Sequence, residues 1–253
     1  MKYLAFPFRF LYKLYVGAVF WTSLALLFPL FYFLLRTNNY KRVFRLKRFW
    51  SNAFQVLLLI RVKVIGEENL PPPPYIICSN HSSYLDILLF YCPFPHYFLF
   101  MGKGELLQWP MFKIFFRKMD IPVHRGNARE SVKAFRRAAD SLRQGDCVAI
   151  FPEATIPQNT PVLGEFKNGT FKLAVETGVP IVPVTWKDNY KRLGDPGVWF
   201  SVGSPGIARV VIHPAVYPGQ NKKGDFIDLR QQVFRSIDSE LPELYQTLKE
   251  HGN

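Results

Sequence analysis

The stretch ICSNHSSYLDILLF, residues 77–90, joins two apolar runs through a short polar turn. The first run completes YIICS, which follows the proline tract of residues 71–74 and reads as a buried strand. In the second, Ser83 and Asp86 stand at the three-residue spacing of a capping box, and a carboxylate in a first turn suits the helix dipole, so a helix begins here. A buried strand feeding a helix is the repeating unit of an α/β fold. His81 falls in the turn between the two.

Outward from this unit the same alternation continues. HYFLFM, CVAIF, IVPVTW and ARVVIH read as further buried strands, and VKVIG as a short strand ahead of the break NLPPPP. Ala128, Val132, Phe135, Ala139 and Leu142 recur at helical spacing, with Asn127 as the cap and Gly145 beyond the end. Residues 225–250 read as closing helices interrupted at Pro242. The expected fold is α/β, with a mixed, largely parallel sheet flanked by helices over residues 62–253. No internal repeat is visible.

The N-terminal part has a different character. Residues 14–35 form a 22-residue run without a charge, long enough for a helix of about 33 Å, which could cross a bilayer. Six Lys or Arg follow between Arg36 and Arg48, and FWSNAFQVLLLI then adds 12 uncharged residues, too few to span. Residues 1–61 are therefore expected to form a membrane-associated helical hairpin, spanning once or entering one leaflet, with its basic side cytoplasmic; for a bacterial chain this is the inner membrane. A buried core hairpin is the competing reading. The run is too long, and lacks the following small-residue site, for a cleaved signal peptide.

Charge follows the same division. The formal net charge is +13, yet residues 1–63 hold 11 Lys or Arg and no Asp or Glu, so the excess belongs to the hairpin. Basic residues flanking an apolar run suit a lipid bilayer with anionic headgroups, and nucleic acid is not an expected partner. Cys78, Cys92 and Cys147 are odd in number, lack CxxC spacing and lie in apolar stretches. They read as buried free thiols in a reducing compartment, and no metal site is expected.

Mid-helix, positions five apart differ by about 140°, so His81 and Asp86 would not meet. They can meet if His81 lies in the loop after the strand and Asp86 in the first helical turn, at the carboxyl end of a strand where α/β folds place their sites. The carboxylate would then fix one ring nitrogen and leave the other to take a proton. The chain carries no GxSxG elbow, HExxH or P-loop. Cys78, Ser82 and Ser83 read as a buried thiol, a loop hydroxyl and a cap.

NHSSYLD resembles the NHxxxxD motif of the glycerolipid acyltransferases, the family that includes lysophosphatidate acyltransferase. GKGEL (102–106), FPEATIP (151–157), FKNGTFKLA (166–174) and VPIVPV (179–184) resemble its later blocks in order and spacing, so the resemblance covers about residues 62–190. The hairpin also resembles the family's membrane-binding helices.

The resemblance implies transfer of a fatty acyl chain from acyl-CoA or acyl carrier protein to a hydroxyl of a lysophospholipid, most often 1-acylglycerol 3-phosphate, giving phosphatidate. It implies no cofactor beyond the donor. His81 is the implied base and Asp86 its orienting partner. Asn80, Lys103, Arg125, Glu153, Ala154, Thr155 and Lys167 are the implied substrate-binding positions, with Arg125 best placed for an acceptor phosphate; Lys103 and Lys167 read equally as solvated charges, and Glu153 as a structural hydrogen-bond partner.

Three positions depart from the family pattern: Ala154 stands for Gly, Ile156 for Arg and His124 for a common Asp. Because the family arginine holds phosphate, an acceptor lacking glycerol phosphate, such as a lyso-aminolipid, stays open. A membrane-anchored lipid-binding protein on the same fold is the non-enzymatic alternative.

Overall fold

In the computed structural model, which describes residues 6–108, 110–124, 126–194, 201–219 and 225–242, the apolar runs become one seven-stranded sheet. Its strands are β1 (Ile60–Ile65), β2 (Ile76–Ser79), β3 (Phe98–Lys103), β4 (Ile121–Val123), β5 (Cys147–Ile150), β6 (Ile181–Trp186) and β7 (Gly206–Ile212), in the order β1-β7-β6-β2-β5-β3-β4. The pairs β2–β5, β2–β6, β3–β5 and β3–β4 are all parallel. Every residue of β2, β5 and β6 is buried, which is why these strands are unbroken apolar runs, whereas β1 buries only Ile60 fully and carries Arg61 and Lys63. Charged residues on a terminal strand oppose edge-to-edge pairing.

The helices are α1 (Phe6–Arg36), α2 (Tyr40–Leu57), α3 (Leu85–Leu89), α4 (Pro110–Lys118), α5 (Ala128–Arg143), α6 (Gly169–Thr177), α7 (Asn189–Arg192) and α8 (Asp225–Asp238). The described chain forms two compact units, neither continuous in sequence. One comprises the chain up to Ile65, His81–Pro95 and Trp186–Val210; the other comprises Gly66–Asn80, His96–Thr185 and the chain from Val211 onward.

In the first unit, α1 and α2 form the expected hairpin. Val16, Leu24, Phe31 and Leu35 make one buried stripe on α1, while Phe8, Leu11, Leu26 and Phe33 are exposed apolar residues on the same helix. A helix that keeps so many apolar side chains outside protein is long and apolar enough to cross a membrane. Trp50 of α2 ties the pair together, stacking on Phe20 at 5.7 Å between centroids and donating from Nε1 to Ser23 Oγ at 2.9 Å.

Asn39 caps α2 by accepting from Arg42 N at 3.2 Å. The buried face of α2 continues onto α3 and its following loop, where Ser51 Oγ donates to Leu88 O at 2.7 Å and Phe44 meets Tyr91. Lys47 belongs to this buried face, its ammonium 5.4 Å from the Tyr91 ring centre, so it is not one of the basic residues that α2 presents outward.

In the second unit, Ile76, Cys78, Val148, Ile150 and Ile181 of the sheet pack with Ala138 and Leu142 of α5, Phe171 of α6 and Leu229 and Val233 of α8. The predicted cap on α5 is present, Asn127 Oδ1 accepting from Glu130 N at 3.2 Å, and Gly145 takes φ +90° beyond the helix end. α8 ends at Asp238; the expected helix beyond Pro242 lies outside the described residues.

Candidate active site

β2 ends at Ser79, and residues 80–84 turn the chain into α3, whose first turn holds Asp86. His81 Nδ1 lies 3.0 Å from Asp86 Oδ2. The His81 side chain is 11% exposed and that of Asp86 is fully buried, so the ring can be reached and its partner cannot.

Asp86 is an acceptor on every side. Oδ2 takes the backbone N–H of Ser82 at 2.5 Å and of Ser83 at 2.8 Å, and Oδ1 takes the Asn189 side-chain amide at 2.7 Å. Among groups that all donate to one carboxylate, Nδ1 supplies the proton of its own bond. The tautomer that results turns Nε2 into the basic nitrogen. A buried carboxylate with several charge-assisted hydrogen bonds is held in one rotamer, and the imidazole with it.

The serine readings resolve in the same geometry. Ser83 Oγ donates to Leu193 O at 2.6 Å and accepts from Leu85 N at 3.1 Å, which commits the hydroxyl. Of the capping box predicted from Ser83 and Asp86, only the half in which Asp86 reaches back to the Ser83 N–H forms. α3 is a helix of five residues, and its N-cap position is Tyr84. Cys78 is buried in β2, and burial first, then the Glu153 charge, push its thiol far above the usual range. It is no nucleophile in this state.

Asn189 and Leu193 belong to the segment after β6, and Asn189 is 103 positions from its partner. Nothing in NHSSYLD signals either residue. The only hint in the sequence is an amide three residues beyond the strand IVPVTW.

In the second unit the turn after β5 carries three of the expected substrate-binding positions. Glu153 is buried, and its Oε2 accepts from Gly164 N at 2.8 Å, so the carboxylate ties the 151–154 turn to the loop before α6. Ala154 takes φ +63°, closing the turn through its N–H to Phe151 O at 3.0 Å. That left-handed backbone is the physical reason glycine suits this position. Thr155 is exposed.

Asn80 is buried at the end of β2. Lys103, at the end of β3, is half exposed and 3.7 Å from Glu105; Lys167 is exposed and 2.6 Å from Glu165. Both ammonium groups therefore face a neighbouring carboxylate in this structure. Arg125 lies outside the described residues. The ring of His124, beside it in sequence, covers Gly104 so closely that a β-carbon there would lie 2.6 Å from Nδ1, and the GKGEL block thus depends on its second glycine.

Residues 61–187 match the family model described as Acyltransferase. A 1-acyl-sn-glycerol-3-phosphate acyltransferase of Chlamydomonas reinhardtii is 33% identical over 187 residues, covering 72% of this chain and 54% of that protein. A chloroplastic 1-acyl-sn-glycerol-3-phosphate acyltransferase of Brassica napus is 31% identical over 218 residues, covering 81% and 60%. The chain thus spans little more than half the length of these curated relatives. The crystal structure of PlsC from Thermotoga maritima, a 1-acyl-sn-glycerophosphate acyltransferase, aligns over 100% of both chains with a TM-score of 0.67 and 26% identity.

Proposed function

We propose, because the chain belongs to the acyltransferase family, that it moves a fatty acyl group from an acyl thioester to the free hydroxyl of 1-acylglycerol 3-phosphate, giving phosphatidate. The observation that carries the reading is the pairing of His81 with Asp86. It supports a single accessible base whose proton-bearing nitrogen is already committed to a buried carboxylate.

In the proposed reaction Nε2 of His81 takes the proton of the acceptor hydroxyl as its oxygen attacks the thioester carbonyl. The C–O bond forms while the carbonyl π pair moves onto oxygen; on collapse that pair re-forms the C=O bond, the C–S bond breaks and the thiolate leaves with the C–S bonding pair. Nε2–H returns its proton to the sulfur. A thiol with a pKa of about 8.5 is a far better leaving group than an alcohol, so the step calls for neither a covalent enzyme intermediate nor a metal. Asp86 compensates the imidazolium formed midway.

The acyl donor, acyl-CoA or acyl carrier protein, and docking of the hairpin on the cytoplasmic face of a bilayer belong to the same proposal. Arg125 is its candidate partner for the acceptor phosphate. Ile156, in place of the family arginine, favours a second acceptor class, lyso-lipids without glycerol phosphate.

The test is product mass spectrometry on the purified full-length protein in vesicles, with one acyl-CoA offered alongside lysophosphatidate, other lysophospholipids and a lyso-aminolipid. Phosphatidate formed by the wild type and lost in His81→Ala is the expected result. Acylation of the lyso-aminolipid alone would move the assignment to the second class, and turnover retained in His81→Ala would overturn the mechanism.

A further inference from the structure

α7 is a single turn of four residues, and it carries the amide that reaches Asp86. One turn of helix does not hold itself, because nucleation fixes several backbone angles for one hydrogen bond. Its ties to other elements therefore decide where Asn189 sits. At the far end Ser83 Oγ donates to Leu193 O at 2.6 Å, Ser204 N to Arg192 O at 3.0 Å and Ser204 Oγ to Lys191 O at 3.2 Å. At the near end the tie is Asp188, which is buried and directly precedes Asn189. All of these residues belong to the first unit.

Asp188 occupies the N-cap position of α7, where an aspartate ordinarily accepts from the first N–H groups of its own helix. Here its side chain makes no such bond. Both oxygens turn to β7 instead: Arg209 Nε donates to Oδ2 at 2.6 Å and Nη2 to Oδ1 at 2.7 Å, and the Arg209 backbone N–H reaches Oδ2 at 3.2 Å. The Lys187 N–H donates to Arg209 O at 3.0 Å, so the carboxylate continues the pairing with β7 just beyond the end of β6. A two-pronged guanidinium–carboxylate contact fixes direction as well as distance. The third bond, from the main chain of a strand, ties that direction to the sheet.

Asn189 needs such a frame. It is buried, its Nδ2 donates to Asp86, and its Oδ1 meets no hydrogen-bond partner among the described residues. With no second bond on the amide, the aim of Nδ2 is set by the backbone that carries it.

The geometry points to Arg209 as a positioning residue for the proposed acyl transfer, acting on His81 through Asp188, Asn189 and Asp86. The inference rests on His81 being the base of that reaction. Arg209 lies outside every motif block and its side chain is 45% exposed, the setting of an ordinary solvated charge, yet its fork closes on a carboxylate that is 5% exposed.

The test uses the full-length protein in detergent micelles with lysophosphatidate and one acyl-CoA. Arg209→Gln should lower kcat about tenfold with KM within about twofold, and Arg209→Lys, which keeps a charge without the fork, about threefold. In an Asn189→Ala background either change should cost less than about twofold, because the path runs through Asn189. Arg143→Gln, which removes an exposed arginine's contacts with Asp140 and Glu176, controls for general loss of stability and should leave kcat unchanged.

Long-range proton–nitrogen spectra of histidine-labelled protein at about pH 8 read the tautomer of His81, with His81→Ala for assignment. Wild type should show the Nδ1–H form. Arg209→Gln and Asn189→Ala should each raise the Nε2–H share at least about twofold, and Arg143→Gln should not. Where Arg209→Gln does not fold, Arg209→Lys carries both measurements.

An unshifted tautomer, an unchanged kcat in an active enzyme, or a kcat loss equally large without Asn189 would overturn the inference. A wild type that acylates none of the offered acceptors counts against acyl transfer, and the tautomer spectra then decide the positioning role unaided.

Discussion

The Asn189 side-chain amide donates to Asp86 Oδ1 at 2.7 Å, joining the segment after β6 to the first turn of α3. The other carboxylate oxygen is occupied by His81 and by two backbone N–H groups, so Asn189 holds the oxygen that the 82–83 turn does not, with Ser82 Oγ adding only a long contact at 3.5 Å. Asn189 is a positioning residue, acting on the imidazole through Asp86. Asn189→Ala should lower kcat by about 10- to 100-fold with little change in KM, by loosening the orienting carboxylate. Added to His81→Ala it should cost nothing further; an equal loss in both backgrounds would mean that Asn189 acts elsewhere.

Ala154 sits at φ +63°, where an L residue costs about 1–2 kcal/mol. Glycine removes that strain but adds about 0.4–1 kcal/mol of unfolded-chain entropy. Ala154→Gly should therefore stabilise the fold by roughly 0.5–1 kcal/mol, raising Tm by about 1–4 °C in thermal unfolding. A lower Tm would mean that the alanine methyl makes contacts worth more than its strain.

Burial raises all three thiols. Cys92 is pushed up to about 11, with the Ser51 hydroxyl and Arg48 charge opposing, and Cys147 to about 11, with hydrogen bonds from Tyr75 opposing. At pH 8 such thiols are thiolate to about one part in a thousand. Maleimide-type labelling of the native protein, followed by mass spectrometry, should run at least about 100-fold slower than in guanidinium, where the ordinary value of about 8.5 returns. Fast native labelling of Cys92 would contradict the packing of α2 on the segment after α3.

Burial pushes the Asp188 carboxyl up, but hydrogen bonds from the Arg209 side chain and backbone, with the guanidinium charge, hold it below the usual carboxylate range. A carboxyl depressed by folding contributes stability that is complete above its unfolded pKa of about 3.9 and is lost as pH falls through the lower, folded value. Denaturant unfolding across the acid range should show Asp188→Asn less stable than wild type at neutral pH, with the gap closing in acid. A gap independent of pH would assign the loss to packing.

α2 presents Lys41, Arg42 and Arg45 at exposed positions, whereas Lys47 is buried against Tyr91. Reversing the three exposed charges should weaken binding to anionic vesicles, and the difference from wild type should shrink at high salt, where the Debye length falls to about 3 Å at 1 M. Lys47→Glu should instead lower thermal stability, because it places a carboxylate in a buried, aromatic surrounding.

Much of this architecture was legible in local patterns. The buried strands announce themselves as unbroken apolar runs, α5 by its helical spacing and the Asn127 cap, and the hairpin by 22 uncharged residues next to a basic segment, because each of these signals lies within one element. The pairing of His81 with Asp86 was legible for the same reason: a loop followed at once by a helical turn fixes the separation of two residues only five apart.

What lay beyond reach was anything joined through space. The identity of Asn189 as the second clamp on Asp86, the commitment of Ser83 to Leu193, the packing of Lys47 against Tyr91 and the pairing of Arg209 with Asp188 all depend on which elements are laid side by side. Sequence periodicity records which face of an element is buried. It carries no record of which distant element buries it, and that choice, made by the packing of the elements, decides where the second oxygen of Asp86, the Ser83 hydroxyl and the Lys47 ammonium find their surroundings.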